Sequence, residues 1–483
     1  MAYRHGISIS ERSTSVKSPV QVLSALTIAV GTAPIHLATE TVSINKPVLA
    51  MSFDEAVRKL GYSPNYSNFT LCEVMDTHFK LYNVFPVVFI NVLDPSKHKT
   101  DVTNQSISVQ NKKAIINQEG VLLNTLAVKL TSGGNNLAKD IDYTATYDDT
   151  GKVVISAVAG GAISASTTSL VVSYSYLDPS KVTNSDIIGG YDASTGKSTG
   201  LELLNSVFPT LQMVPCILIA PKFSKKTDVA AVMKAKVKNI NGVFKAKAYI
   251  DIDTSIANVY TKAVEYKNTN SLVDEYASIF WGDIKLGDKI YNFSSHAAAV
   301  TAQTDEKNDG IPFVSPSNKT LVMDTLLANG QEVSLGQDQA AYLNANGIVT
   351  ALNFIGGWRL WGNRTSAYPA NTDVKDSFIP VRRMFNWIEN TLILSFWGNV
   401  DDPTNGRLID QFIDSVNVWL NGLAAIGAIL GGRVEFRQEE NPVTDLLAGK
   451  VKFHLFVTPP TPAEDIEFIV EFDVSYLNSL FAV

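Results

Sequence analysis

The chain reads as a multidomain protein of class α/β plus α+β, and three changes of texture along it say so. Strand–helix–strand order fills residues 20–97 and 178–355. A Ser-, Thr-, Asn- and Val-rich stretch with no helical period, 98–177, separates them. Residues 356–483 carry two long amphipathic helices and then strands. The 483 residues also exceed what one core supports, since cores stop growing near ~250–300 residues. The expected organisation is therefore an extended N-terminal arm (1–19), a central α/β domain in two parts (20–97 and 178–355), an inserted β-rich domain (98–177) and a C-terminal α+β domain (356–483).

In the first part, "LTIAV" (26–30) reads as a buried strand ending at "GTAP". "SFDEAVRKLG" (52–61) reads as a short helix with a serine cap, an early acidic pair and a closing glycine. "VFPVVFINVLDPSK" (84–97) has the unbroken apolar run of a strand buried on both faces. In the insert, "DYTATY" and "KVVISAV" flank "DDTG" (148–151), a hairpin with its glycine placed for positive φ. The pentapeptide "LDPSK" closes a strand twice, at 93–97 and 177–181, and marks the entry and exit of the insert.

In the second part, "LQMVPCILIAPK" and "KAKAYIDID" (245–253) read as buried parallel strands joined by a helix over 226–240, with further helices near 294–304 and 336–346. Beyond 356, a helix over 380–397 starts at Pro380 and lines up Val381, Met384, Phe385, Ile388, Leu392 and Phe396. A second, from about 404 to 430, lines up Leu408, Phe412, Val416, Trp419 and Leu423 and stops at Gly431-Gly432. "VEFRQ", "VKFHLFV" and "IEFIVEFDVSYL" read as strands, the last with Ile466, Phe468, Val470, Phe472, Val474 and Tyr476 on one apolar face.

Composition narrows the function classes. Only 18% of residues are charged, below the ~25% of typical soluble domains, which points to surface buried in an oligomer. A net charge of −7 argues against general nucleic-acid binding. Cys72 and Cys216 sit in apolar company and read as small buried hydrophobes, and the six histidines lack metal-ligand spacing. The uncharged stretch Ser18–Thr39 is long enough to span a membrane, but Gly31, Pro34 and His36 favour a buried strand; with no signal-peptide core, the protein is expected to be cytosolic where it is made.

Three apparent chemical motifs fail. "GGYDASTGKS" (189–198) has five residues between Gly190 and Gly196 where a phosphate loop needs four. "DEKNDG" (305–310) puts Lys307 where a calcium loop needs an oxygen. Ser295 and His296 are neighbours on a helix and cannot face one another. No catalytic set, metal site or cofactor site is expected. "GGWRLWGNRT" (356–365) could stack bases, but residues 356–483 hold 10 Lys+Arg against 16 Asp+Glu. Gly356, Gly357, Trp358, Arg359, Trp361 and Arg364 are instead expected to form a hinge that locks the central and C-terminal domains together.

The stretches "HGISISE", "TIAVGTAP" (27–34), "IIGGYDASTGKSTGLELL" (187–204), "ILIAP" (217–221), "GIPFVSPSNK" (310–319), "LNANGIVTALNFIGGWRLWGNRT" (343–365) and "FIPVRRMFNWIE" (378–389) then carry a resemblance. The chain resembles the tail sheath proteins of contractile bacteriophages and phage-tail-like bacteriocins. The insert matches least.

That resemblance implies a central α/β domain of subtilisin-like shape, without the catalysis, and a C-terminal α+β domain. It implies a helical polymer of this chain around an inner tail tube, with baseplate and tail terminator proteins as further partners, no nucleic-acid contact and no membrane insertion. Terminal arms exchanged between subunits would hold that polymer together by β-augmentation. The exchange residues expected here are Gly6, Ile7 and Ile9 in the first arm and Glu467, Phe468, Val470, Glu471, Phe472, Asp473 and Val474 in the last strand. The first arm is basic (Arg4, Arg12 and Lys17 against Glu11) and residues 438–483 are acidic, so charge would set their register. Arg382, Arg383 and Arg407 are expected to meet the tube. The rival readings are an α/β phosphate- or nucleotide-binding enzyme and a non-phage contractile secretion sheath.

Overall fold

The structure, a computed structural model, describes residues 22–40 and 44–481. The arm residues Gly6, Ile7 and Ile9 lie outside them.

Eight strands form the central sheet: β1 (Thr27–Gly31), β2 (Pro47–Ala50), β3 (Val87–Asn91), β4 (Ile217–Ile219), β5 (Lys247–Asp251), β6 (Ala277–Phe280), β7 (Ile348–Asn353) and β8 (Trp358–Trp361). Their order is β2-β3-β1-β4-β5-β6-β7-β8. From β3 to β7 every pairing is parallel, and β2 and β8 add antiparallel edges. Every residue of β1, β3 and β5 is buried, as helices on both faces of a parallel sheet require. Helix Phe293–Glu306 packs with segment 70–81 against this sheet, and helix Thr227–Val237 packs on β5.

Local chemistry sets the helix ends. The Ser52 hydroxyl accepts from Glu55 N at 3.3 Å at the start of Phe53–Leu60, and Gly61, at φ +74°, closes it. The expected helices near 294–304 and 336–346 are Phe293–Glu306 and Gln337–Asn344.

Residues 99–177 hold a six-stranded antiparallel sheet around a core of their own, including Ile116, Val128, Tyr143, Ile155 and Val172. Tyr143–Tyr147 and Val153–Ala157 pair across a turn in which Gly151 takes φ +76°. The two "LDPSK" copies fold alike. Asp94 Oδ1 accepts from Ser96 N at 2.8 Å, and Asp178 Oδ1 from Ser180 N at 3.1 Å. They lie side by side, with Asp178 N donating to His98 O at 2.9 Å.

After β8, helix Ile379–Phe396 is buried all round over its first three turns, polar residues included. Helix Gly406–Ala425 packs on it through Trp387 against Trp419, with ring centroids 5.6 Å apart. This helix ends earlier than expected: Gly427 (φ +75°) turns the chain, and Gly431 and Gly432 belong to strand Gly431–Glu435, which pairs antiparallel with His454–Thr458.

Candidate assembly surfaces at the chain ends

The C-terminal end carries the largest departure from expectation. Residues 466–473 form no strand, and a 3₁₀ turn occupies Val474–Phe481. Ile466, Phe468, Ile469, Val470, Phe472, Val474 and Tyr476 are 68–92% exposed. The alternation is real, but a strand needs a ladder partner, and among the described residues 466–473 join no ladder.

An edge that could supply one is close in sequence. The sheet of Gly431–Glu435 and His454–Thr458 has two strands and therefore two outer edges. One is blocked at Val434, whose N donates to Asn417 Oδ1 at 2.9 Å and whose O accepts from Asn417 Nδ2 at 3.4 Å. On the other, among the described residues, no turn or side chain hydrogen-bonds to Leu455 or Val457. This open edge was missed in the sequence, because two short strands read alike whether or not a third covers them.

The glycine-tryptophan run is corrected. Gly356 (φ +76°) and Gly357 (φ +87°) turn the hairpin between β7 and β8, and Trp358 to Trp361 are β8 itself. Trp358 Nε1 donates to Asp324 O at 2.9 Å and Arg359 Nη1 to Thr320 Oγ1 at 2.6 Å, so both are tied within the central body. Of the six residues expected at a hinge, Arg364 is the one that, among the described residues, hydrogen-bonds to the C-terminal segment, where its guanidinium grips Glu464, and Trp361 lines a groove with Pro460 and Pro462.

Two of the three arginines expected at the tube are corrected as well. Arg382 and Arg383 are only 3% and 4% exposed. Arg382 pairs with Asp376 (3.3 Å) and Glu389 (3.1 Å), and Arg383 with Asp305. With no free surface, neither can meet another protein. Arg407 is exposed at the start of its helix.

The discarded motifs have structural explanations. Lys197 is exposed on a two-stranded hairpin, 190–192 with 197–199. Asp305 of the calcium-like loop is consumed by Arg383 and Ser24. Ser294 donates to Asp251, Ser295 to Glu73, and His296 Nδ1 lies 2.9 Å from the Tyr82 hydroxyl, so each faces a different partner. Burial raises the Glu73 pKa to about 8 and lowers that of His296 to about 3. Burial also pushes both thiols up to about 12, as inert core cysteines should be. No group of metal-ligating side chains occurs, and no helix is long and apolar enough to cross a membrane, among the described residues.

No protein-family model matches the chain. The tail sheath protein of Burkholderia phage BcepMu is 30% identical over 490 residues, covering 99% of this chain and 98% of that one. Among solved structures, the anti-feeding prophage baseplate contains a chain with TM-score 0.58 at 15% identity, covering 98% of this chain and 100% of its own. A sheath of an extracellular contractile injection system in its contracted state gives TM-score 0.57 at 13% identity, over 98% and 99% of the two chains. The fold is thus shared end to end, and the phage relative matches over nearly its whole length. The chain belongs to the tail sheath proteins of contractile injection systems, a family with a structural rather than an enzymatic role.

Proposed function

We propose that this sheath subunit polymerises helically by strand exchange at its chain ends, encloses an inner tail tube and shortens to drive that tube through a target envelope. The observation that carries the reading is the exposed apolar run 466–472, in a chain that also carries an open strand edge at 454–458. The end strand of one neighbour adds to that edge, presenting Phe468, Val470, Phe472 and Val474 to one side and Glu467, Glu471 and Asp473 to the other. The basic arm with Gly6, Ile7 and Ile9 pairs beyond it; exposed ion pairs contribute only ~0–1 kcal/mol each, so charge sets register rather than strength.

Arg407 is the remaining tube-facing candidate. Baseplate and terminator proteins meet the two ends of the sleeve, which assembles in the bacterial cytoplasm. The subtilisin-like description belongs to the eight-stranded central body, and the six-stranded insert is a separate domain on it.

The test is a chain truncated after Asp465. It should melt like the full chain yet form no hollow striated cylinders by negative-stain microscopy. Cylinders of ordinary length from the truncated chain overturn the exchange.

A further inference from the structure

Helix Ile379–Phe396 ties down Val22 and Ser24, and Arg364, seated against the residue that opens this helix, ties down Glu464. Ile379–Phe396 begins beside Phe378, whose backbone bridges to Arg364 and whose ring lies 3.7 Å from the Arg364 guanidinium. Tyr368 covers that guanidinium too, at 4.4 Å. From this seat Arg364 Nε donates to both carboxylate oxygens of Glu464 at 3.0 Å. Further along the same helix, Arg383 Nη2 donates to Ser24 O at 3.1 Å and Trp387 Nε1 to Val22 O at 2.9 Å. The helix is itself bound to the central body: Asn390 Nδ2 donates to Lys245 O at 2.9 Å and its Oδ1 accepts from Lys245 N at 3.0 Å.

The contact at Glu464 bears more of the fastening than its size suggests. Pro460, Pro462 and Glu464 line a groove of about 610 Å³ together with Asn318 and Trp361. Among the described residues, the Arg364–Glu464 contact is the one hydrogen-bonded tie of residues 459–465, and residues 465–472 make no hydrogen bond at all.

We propose that helix 379–396, with Arg364 seated at its start, is a strut that fixes Val22–Ser24 and Glu464 to the central body, so that these two roots keep their place when the sleeve shortens. What pulls on the arms rests on the exchange reading above; the anchoring itself is a property of the single subunit.

Nitroxide labels on cysteines introduced at Ala463 and Leu23 test it, since native Cys72 and Cys216 are buried. The full-length monomer should show a slow-motion component at both positions. At 463 that component should be lost in Arg364→Glu and in Glu464→Arg and return in the double exchange. At 23 it should shrink in Trp387→Phe, while Arg383 Nη2 still holds Ser24 O and Cys216 Sγ still holds Leu23 O at 2.8 Å, with melting curves confirming a folded chain. Sleeves of the single variants at 364 and 464 should stay connected but lose helical order in electron micrographs. Unchanged spectra in both single variants overturn the strut, as do mobile labels with unaltered sleeve order. The chain truncated after Asp465 reports separately on exchange: if it still polymerises, exchange fails, while the spectra continue to decide the anchoring.

Discussion

Arg383 and Asp305, 78 residues apart, form an ion pair with both side chains buried, and Ser24 completes it by donating Oγ to Asp305 Oδ2 at 2.6 Å. Removing one partner strands the other charge in the core. Arg383→Met or Asp305→Asn should therefore cost ~3–5 kcal/mol in urea melts of the monomer. Arg407→Glu, on an exposed side chain, should stay within about 0.5 kcal/mol and alter only co-assembly with a tube. Equal melting of the buried and exposed variants would refute the assignment.

Three buried histidines make stability depend on pH. Burial lowers the pKa of His36 to about 4 and those of His78 and His296 to about 3, against 6.5 for the free side chain. Between those values the unfolded chain binds protons that the folded chain does not, so each histidine removes stability as pH falls from about 6.5 toward 4, by up to ~1.4 kcal/mol per pH unit. Glu73, raised to about 8, acts with the opposite sign between 4.5 and 8. His36 can be isolated. Its ring lies between Phe69 and Tyr147, and among the described residues neither ring nitrogen has a hydrogen-bond partner. His36→Phe should keep the fold and lower the pH slope of the urea midpoint by one proton relative to the parent chain. An unchanged slope contradicts the buried neutral histidine.

What the sequence reveals and what it hides divide along one physical line. β1, β3 and β5 are legible because a strand covered on both faces must be apolar at every position, and that is a local pattern. Phe53–Leu60 is legible because Ser52 and Gly61 act on their own helix. Arg382 and Arg383 mislead because an arginine beside a helix start looks alike exposed or buried, and Asp305 is far away in sequence. Gly356 and Gly357 mislead because a hinge and a hairpin turn both call for positive φ. The end segment shows a true strand alternation, but among the described residues 466–473 join no sheet.

The false phosphate loop owes Gly196 to a left-handed backbone, and Gly200 just beyond it also to close packing, and substitution can show it. A Cβ on Gly200 would sit 2.4 Å from Ile187 O, at φ +59°, whereas Gly196, at φ +67°, has open space around it. Gly196→Ala should cost only the left-handed backbone penalty, ~1–2 kcal/mol. Gly200→Ala should cost clearly more, because the adjoining backbone must move as well. Equilibrium dialysis of the parent chain with ATP should show no retention, since Lys197 faces solvent on a hairpin. Retained nucleotide that is lost in Lys197→Ala would revive the enzyme reading.

Excising residues 99–177 is the strongest test of how independent the insert is. Its own sheet and core stay within that range, and its ends are neighbours, with Lys99 paired to Leu177. The polar ties to the rest of the chain include Glu119, which accepts from Ser63 Oγ and from Asn65 Nδ2 at 2.9 Å, Thr100 Oγ1, which donates to Asp178 Oδ2 at 2.7 Å, and Lys99 O, which accepts from Lys181 Nζ at 2.5 Å. The Tyr147 ring meets His36 at 5.5 Å. The two hydrogen bonds to the Glu119 carboxylate contribute about 3–6 kcal/mol, of which solvation of Ser63 and Asn65 after excision recovers part, and removal of Leu177 and Leu122 from the central core adds to the loss. A chain joining His98 to Asp178 through a short Gly-Ser turn should therefore melt cooperatively at a lower temperature and still polymerise, because neither chain end touches the insert among the described residues. A product that aggregates without a cooperative transition would mean that the insert's sheet completes the central core rather than standing on it.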